Sequence, residues 1–256
     1  MNNKLLTRFL IVTFAFSFLL WGAVILLTRV AGFSIDHPIP YALTLLGSFG
    51  PSVGAYCACR KAGRFSGIKD FLKFTFSPKA SLVAYLLIPL SLLLYYLYPL
   101  LSGKIVAGEP YYVALLALPI MLFGGGMEEP GWRGLLFPKL FEKHSFLMST
   151  FAVAVVWAIW HTPLFLIEGS SQSGANPFAF LLLIVGMSFC QATLAEHSRS
   201  VFLSVLLHCA FNAAQISLVV DESISNACFM AGTMAVGSLL ARFVLMKLRR
   251  TAKPLS

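Results

Sequence analysis

Charge is what this chain has least of. Only 11% of its 256 residues are Asp, Glu, Lys or Arg, where a soluble domain carries roughly a quarter. That excludes an ordinary water-facing surface. Hydrophobic residues make up 58% and the mean hydropathy is +0.83. Cysteine is scarce as well. Cys57, Cys59, Cys190, Cys209 and Cys228 form neither a CxxC pair nor a zinc-like spacing, which excludes a disulfide or zinc-cysteine framework. No HExxH is present, and no Ser/His/Asp or Cys/His set stands out, so the common zinc, serine and cysteine hydrolase signatures are absent.

What is present is a series of long apolar runs. A span needs about 20 apolar residues, and the runs fall near 9–31, 41–60, 80–101, 111–127, 146–167, 177–195, 201–220 and 225–246. Helices are the spanning form expected, because hydrocarbon offers no partner to open backbone groups. The fold expected is therefore all-α: one integral membrane domain over 1–256, with about eight transmembrane helices and a motif-bearing core at about 111–220. The first run is too long for a signal-peptide core and is read as a retained helix.

The net charge of +9 does not point to nucleic acid, because the basic residues sit at the ends of apolar runs. With the N-terminus inside, the inner segments hold Lys4, Arg8, Arg60, Lys61, Arg64, Lys69, Lys73, Lys79, Arg133, Lys139, Lys143, Arg199, Arg242, Lys247, Arg249, Arg250 and Lys253. Those are 17 of the 19 basic residues; only Arg29 and Lys104 fall outside. The outer loops carry Asp36, Glu109, Glu168, Asp221 and Glu222. Both termini are expected to be cytoplasmic, in the cell membrane of a bacterium. Residues 62–79, basic with interspersed phenylalanines, are expected to lie along the inner interface.

Ionisable groups at membrane depth are expensive, so each is a functional candidate. Three clusters qualify: Glu128-Glu129-Pro130-Gly131-Trp132-Arg133, Trp157-Ala158-Ile159-Trp160-His161, and His208-Cys209-Ala210-Phe211-Asn212. Glu129 and Arg133 stand four apart and share a helix face, although Pro130 disfavours helical geometry at Glu129. Glu128 then points elsewhere and is free for chemistry. His208 and Asn212 also share a face. Read individually, each cluster has a bland alternative: a salt-bridged helix start, a satisfied core histidine, or an interhelical hydrogen-bonded pair. Together they fit water attack on an amide, with a Glu/His pair as general base and a His/Asn pair donating to an oxyanion. The depths do not match if Glu128 begins a segment at the inner face, so helices must tilt or the fourth span must break early. Gly124, Gly125 and Gly126 would allow close helix approach or such a break.

The ordered triplet EExxxR, FxxxH, HxxxN resembles the CPBP family of CAAX prenyl endopeptidases and bacteriocin-processing (Abi) proteins, with Trp157 in place of the common Phe. The resemblance implies an intramembrane endopeptidase. In it Glu128 and His161 activate water, His208 and Asn212 form the oxyanion hole, and Glu129 and Arg133 support the first motif. The expected cleavage lies near the cytoplasmic face. The expected partners are a peptide or membrane-protein substrate, with prenylation left open, and the lipid bilayer; no nucleic acid is expected. No cofactor is expected; the alternative is zinc held by Glu128, His161 and His208. Two other functions compete. One is a non-catalytic immunity or scaffold protein that binds a peptide partner. The other is a small transporter with a Glu/His proton relay.

Overall fold

The computed structural model describes residues 2–221 and 223–251; Glu222 and Lys253 lie outside them. The described chain is almost wholly helical. Helix α1 (Asn2–Arg29) is followed by α2 (Pro38–Gly47) and α3 (Gly50–Lys61), which are bent by 44° at the Ser48-Phe49 break. The short helix α4 (Ile68–Thr75) precedes the long α5 (Leu82–Ser102). Next come α6 (Tyr111–Ala117) and a broken segment, Ile120–Phe141, bent 52° from α6. The bundle closes with α7 (Phe146–Trp160), α8 (Pro177–Ser198), α9 (Val201–Ser217) and α10 (Ile224–Thr251).

Side-chain caps set several of the helix starts. The hydroxyls of Ser81, Ser145 and Ser200 accept from Ala84, Met148 and Leu203, and Asn176 Oδ1 accepts from Phe178 and Ala179. Each satisfies an amide that the first turn leaves without a partner.

Five helices are long and apolar enough to cross a membrane, and counting each bent pair as one span makes seven. Helix α9, with 17 residues, would rise only about 25 Å against a hydrocarbon core of about 30 Å. Among the described residues the spans thus number five to seven, where about eight were expected, and the fold is an all-α polytopic membrane fold.

Close packing explains the core. Gly50 and Gly54 let α3 meet α1: a Cβ on Gly50 would stand 2.0 Å from Ser17 Oγ, and one on Gly54 2.2 Å from Thr13 Oγ1. Small residues four apart allow such approach where no hydrophobic effect drives helices together. Polar bonds add to it. Ser17 Oγ donates to the Gly47 carbonyl (2.7 Å), and Trp160 Nε1 donates to Ser17 Oγ (2.9 Å). Helix α8 is the most enclosed of the straight spans, with 67% of its apolar window buried. Large apolar residues such as Leu19, Leu115 and Leu240 face outward, as hydrocarbon solvent allows.

The bundle has two chemically different ends. At one, the 31–37 and 167–176 connections meet: Arg29 Nε donates to the Leu166 carbonyl (2.5 Å), and a Cβ on Gly169 would contact Ile35. There too β1 (Ile105–Ala107) pairs antiparallel with β2 (Leu218–Val220). At the other end Ser200 Oγ donates to the Ser77 carbonyl, Arg242 Nε pairs with Glu196 (2.6 Å), and Arg249 donates to the His197 carbonyl. This second end gathers Arg60, Lys61, Arg64, Lys79, Lys143 and Arg199. The amphipathic stretch of 62–79 becomes α4, which buries Phe71 and leaves Lys69 and Lys73 exposed.

The broken segment corrects one expectation. Glu128 does not begin a segment at the basic end. The path from 110 to 134 runs antiparallel along the whole of α9. Ser217 Oγ donates to the Pro110 carbonyl, Asn212 Nδ2 to the Gly124 carbonyl, and His208 meets Glu129; a Cβ on Gly134 would meet Val201. Glu128 therefore lies at the middle depth of the bundle, level with His208. Residues 129–141 supply the remainder of the crossing as a short helical turn, a π-helical turn (Trp132–Leu136) and a helix, Phe137–Phe141. The early break reconciles the three motif depths. Pro119 and the glycine triplet are where it happens, since neither residue type supports a regular helix.

Candidate active site

The glycine triplet makes the site geometrically possible. Gly125 has φ +150, a conformation that residues with a Cβ rarely adopt. A Cβ there would stand 2.6 Å from His208 Nε2 and 2.7 Å from Asn212 Nδ2. Only glycine keeps open the space in front of these two groups. Gly126 plays a related part, because its Cβ would stand 2.6 Å from Cys209 Sγ; it lets the turn lie against α9.

The turn at 126–131 then sends the two adjacent carboxylates in different directions. Glu128 accepts two indole hydrogen bonds at Oε2, from Trp157 Nε1 (2.6 Å) and Trp132 Nε1 (3.2 Å). Glu129 is fully enclosed. Its Oε1 takes Arg133 Nη1 at 3.2 Å and His208 Nδ1 at 2.7 Å, while Oε2 has no partner among the described residues. The guanidinium continues the network. Arg133 Nη2 donates to Ser188 Oγ (3.1 Å), and Cζ stands 4.5 Å from the centre of the Trp157 ring. A buried guanidinium is tolerable only when it is paired and bonded on several sides, as here. Pro130 does not prevent the 129–133 pair. It occupies the first turn of a helical stretch, where its missing N–H costs nothing.

His161 ends α7 rather than sitting within it. Its Nδ1 lies 2.9 Å from the Trp157 carbonyl. A carbonyl only accepts, so Nδ1 carries the proton, and Nε2 keeps its lone pair in the neutral ring. The rings of Trp160 and Phe180 flank it at 4.8 and 5.1 Å. On α9, His208 is held by Glu129 and by an edge contact with Trp157 (5.5 Å). Half-buried Asn212 is fixed by its bond to the Gly124 carbonyl (3.0 Å).

These groups surround a cavity of about 540 Å³. Glu128, His161, His208 and Asn212 all contribute to its wall, and Glu129 and Arg133 do not. The structure therefore brings the six expected residues into one polar cluster and sorts them into four that reach the cavity and two packed behind it. Among the described residues, no group of three or more His, Cys, Asp or Glu side chains is arranged to hold a metal ion. Glu128, His161 and His208 share the wall of one cavity.

Three participants were not among the residues expected from sequence. The Trp132 indole reads as apolar in a hydropathy profile, yet it holds a carboxylate. Ser188 is one small residue inside α8. Gly125 is expected from sequence to serve helix approach or a break; beyond the break, it clears the space before two donors. Its signal was the run of three glycines next to two carboxylates.

Comparison with known proteins agrees with this geometry. Residues 110–214 match the family described as type II CAAX prenyl endopeptidase Rce1-like. A protein named CAAX prenyl protease 2, from Methanococcus maripaludis, is 25% identical over 234 residues, covering 82% of this chain and 83% of that protein. The matched stretch contains every residue of the cluster, from the glycine turn to Asn212. The chain is a multi-pass membrane protein, and its similarity to the CPBP family of CAAX-protease-like endopeptidases supports a peptide hydrolase.

Proposed function

We propose that this protein is an intramembrane endopeptidase in which Glu128 and His161 activate a water within the bundle, while His208 and Asn212 receive the oxyanion. One observation carries the reading: Glu128, His161, His208 and Asn212 reach one cavity from three separate segments. The two indole bonds fix the Glu128 carboxylate through Oε2. Oε1, with no protein hydrogen bond among the described residues, is the oxygen left to take a proton from water. His161 presents Nε2 as a second acceptor. A water between the two is polarised toward hydroxide as it attacks the scissile carbonyl.

The oxyanion forms on the opposite side, at the Gly125 gap. Asn212 Nδ2 has two hydrogens and spends one on the Gly124 carbonyl. For His208 to donate from Nε2 while Nδ1 donates to Glu129, the ring must carry both protons. Glu129 balances that charge. With Arg133 the ledger closes at two carboxylates, one guanidinium and one imidazolium, so the low-dielectric site carries no net charge. Donors fixed before the reaction stabilise developing charge without reorganising. Glu129, Arg133 and Ser188 act through His208 and the turn, and so position the reacting groups.

The water activation proposed here needs no metal. The substrate is a peptide or membrane protein. The basic end of the bundle is read as cytoplasmic by the positive-inside rule. On that reading both termini lie inside and the protein sits in the cell membrane. The test compares newly formed peptide termini in the membranes of cells carrying wild type, Glu128→Ala or His161→Ala. Termini present with wild type and missing with each folded variant support the reading. The same termini with both variants overturn it.

A further inference from the structure

The cavity is not distributed evenly through the bundle. On every helix that borders it, only the half toward the end formed by the 31–37 and 167–176 connections takes part. Helix α2 lines it and α3 does not. Helix α5 contributes only Tyr95. Helix α7 contributes from Trp157 onward, α8 only as far as Met187, and α9 only from His208 onward. The broken segment adds Met121, Gly124 and Glu128, and the remaining wall comes from Ile35, Asp36 and the 169–175 loop at that same end. No residue of the 62–81 or 142–156 stretches touches it. Toward the basic end the space is filled instead, by Leu135, Phe137, Phe146, Leu194 and Leu203, all nearly or fully buried. The Glu129–Arg133–Ser188 network forms the floor between the two halves.

Charge follows the same division. The basic loops are gathered at the closed end, while the open end carries Asp36, Glu109, Glu168 and Asp221, with only Arg29 and Lys104 of opposite sign. Among the described residues the cavity wall includes the carboxylates of Asp36 and Glu128 and no lysine or arginine.

From this geometry we infer that the active-site cavity opens to the extracytoplasmic face, so that the protease takes peptide segments of exported or membrane-anchored chains presented from outside the cytoplasm. The inference rests on the peptidase reading for the word substrate, and on the positive-inside rule for the direction. It replaces the expectation of cleavage at the cytoplasmic face, which followed from placing Glu128 at the end of a complete fourth span.

The test reads access and cleavage separately. In a full chain with Cys57, Cys59, Cys190, Cys209 and Cys228 replaced by serine or alanine, single cysteines are placed at the cavity rim (Ser171→Cys), inside its mouth (Gln215→Cys) and at the opposite end (Lys79→Cys, Lys143→Cys). Intact cells are treated with the small membrane-impermeant thiol reagent 2-(trimethylammonium)ethyl methanethiosulfonate. They are then solubilised and the remaining thiols are counted with a polyethylene-glycol maleimide. The expected result is block at Ser171→Cys and Gln215→Cys, with Lys79→Cys and Lys143→Cys unprotected. Block at the lysine positions with the rim free, or no block at either cavity position, overturns the inference. Loss of cleavage in Glu128→Ala is scored independently, so a failed peptidase reading is distinguishable from a wrong direction.

Discussion

Glu128 and Glu129 are neighbours in the chain, yet they belong to two regions that solve opposite problems. Glu128 is on the wall of a cavity, held at one oxygen by two neutral indole donors. Glu129 is in the packed layer behind it, shared by a guanidinium and an imidazole and sealed from any cavity. The difference teaches how a membrane bundle can hold a reactive carboxylate. Ionic pairing is spent on the residue that must not move, and neutral donors orient the one that must react. If the division is real, substitutions in the cavity wall should remove activity and spare the fold, and substitutions in the layer behind should lower stability first and slow cleavage through it.

The largest effect is expected at Glu128→Gln. It keeps the shape but removes the base, and cleavage should fall by about 10²–10⁴-fold, with the detergent-solubilised unfolding midpoint unchanged. Arg133→Met should act on the other side of the comparison. Breaking a buried ion pair by removing one partner costs about 3–5 kcal/mol, and the loss should appear as a lowered unfolding midpoint. Gly125→Ala tests the wall again. The added Cβ would crowd His208 Nε2 and Asn212 Nδ2, an overpacking cost of about 1–3 kcal/mol. It should register mainly as slower cleavage in rate assays. Ser188→Ala is the mildest. It removes one hydrogen bond to Arg133, worth about 1.5 kcal/mol for a charged donor, and should lower the unfolding midpoint slightly while folded protein still cleaves.

Much of this division was legible in the sequence, and the reasons differ by feature. The 129–133 and 208–212 pairs could be read from four-residue spacing, because helical periodicity puts such residues on one face. The apolar runs fixed where helices form. The depth of Glu128 was not legible. Residues 111–127 are apolar enough to pass for a full span, and hydropathy does not register that Pro119 and three glycines end the helix at Ala117. That single displacement moved the site from the membrane surface to mid-depth. Nor did apolarity reveal that Trp132 and Trp157 serve as hydrogen-bond donors, since an indole counts as hydrophobic until its N–H meets an acceptor. The direction in which the cavity opens depends on which half of each helix packs tightly. That is a property of the assembled bundle.

The account stands or falls on adjacent carboxylates having separable roles. The most direct measurement takes Glu128→Gln and Glu129→Gln side by side, with cleavage of membrane peptides and the thermal unfolding midpoint recorded for both. The account predicts that Glu128→Gln is inactive with a wild-type midpoint and that Glu129→Gln unfolds at a clearly lower temperature. Wild-type cleavage by Glu128→Gln, or an equal loss of stability in both variants, would contradict it.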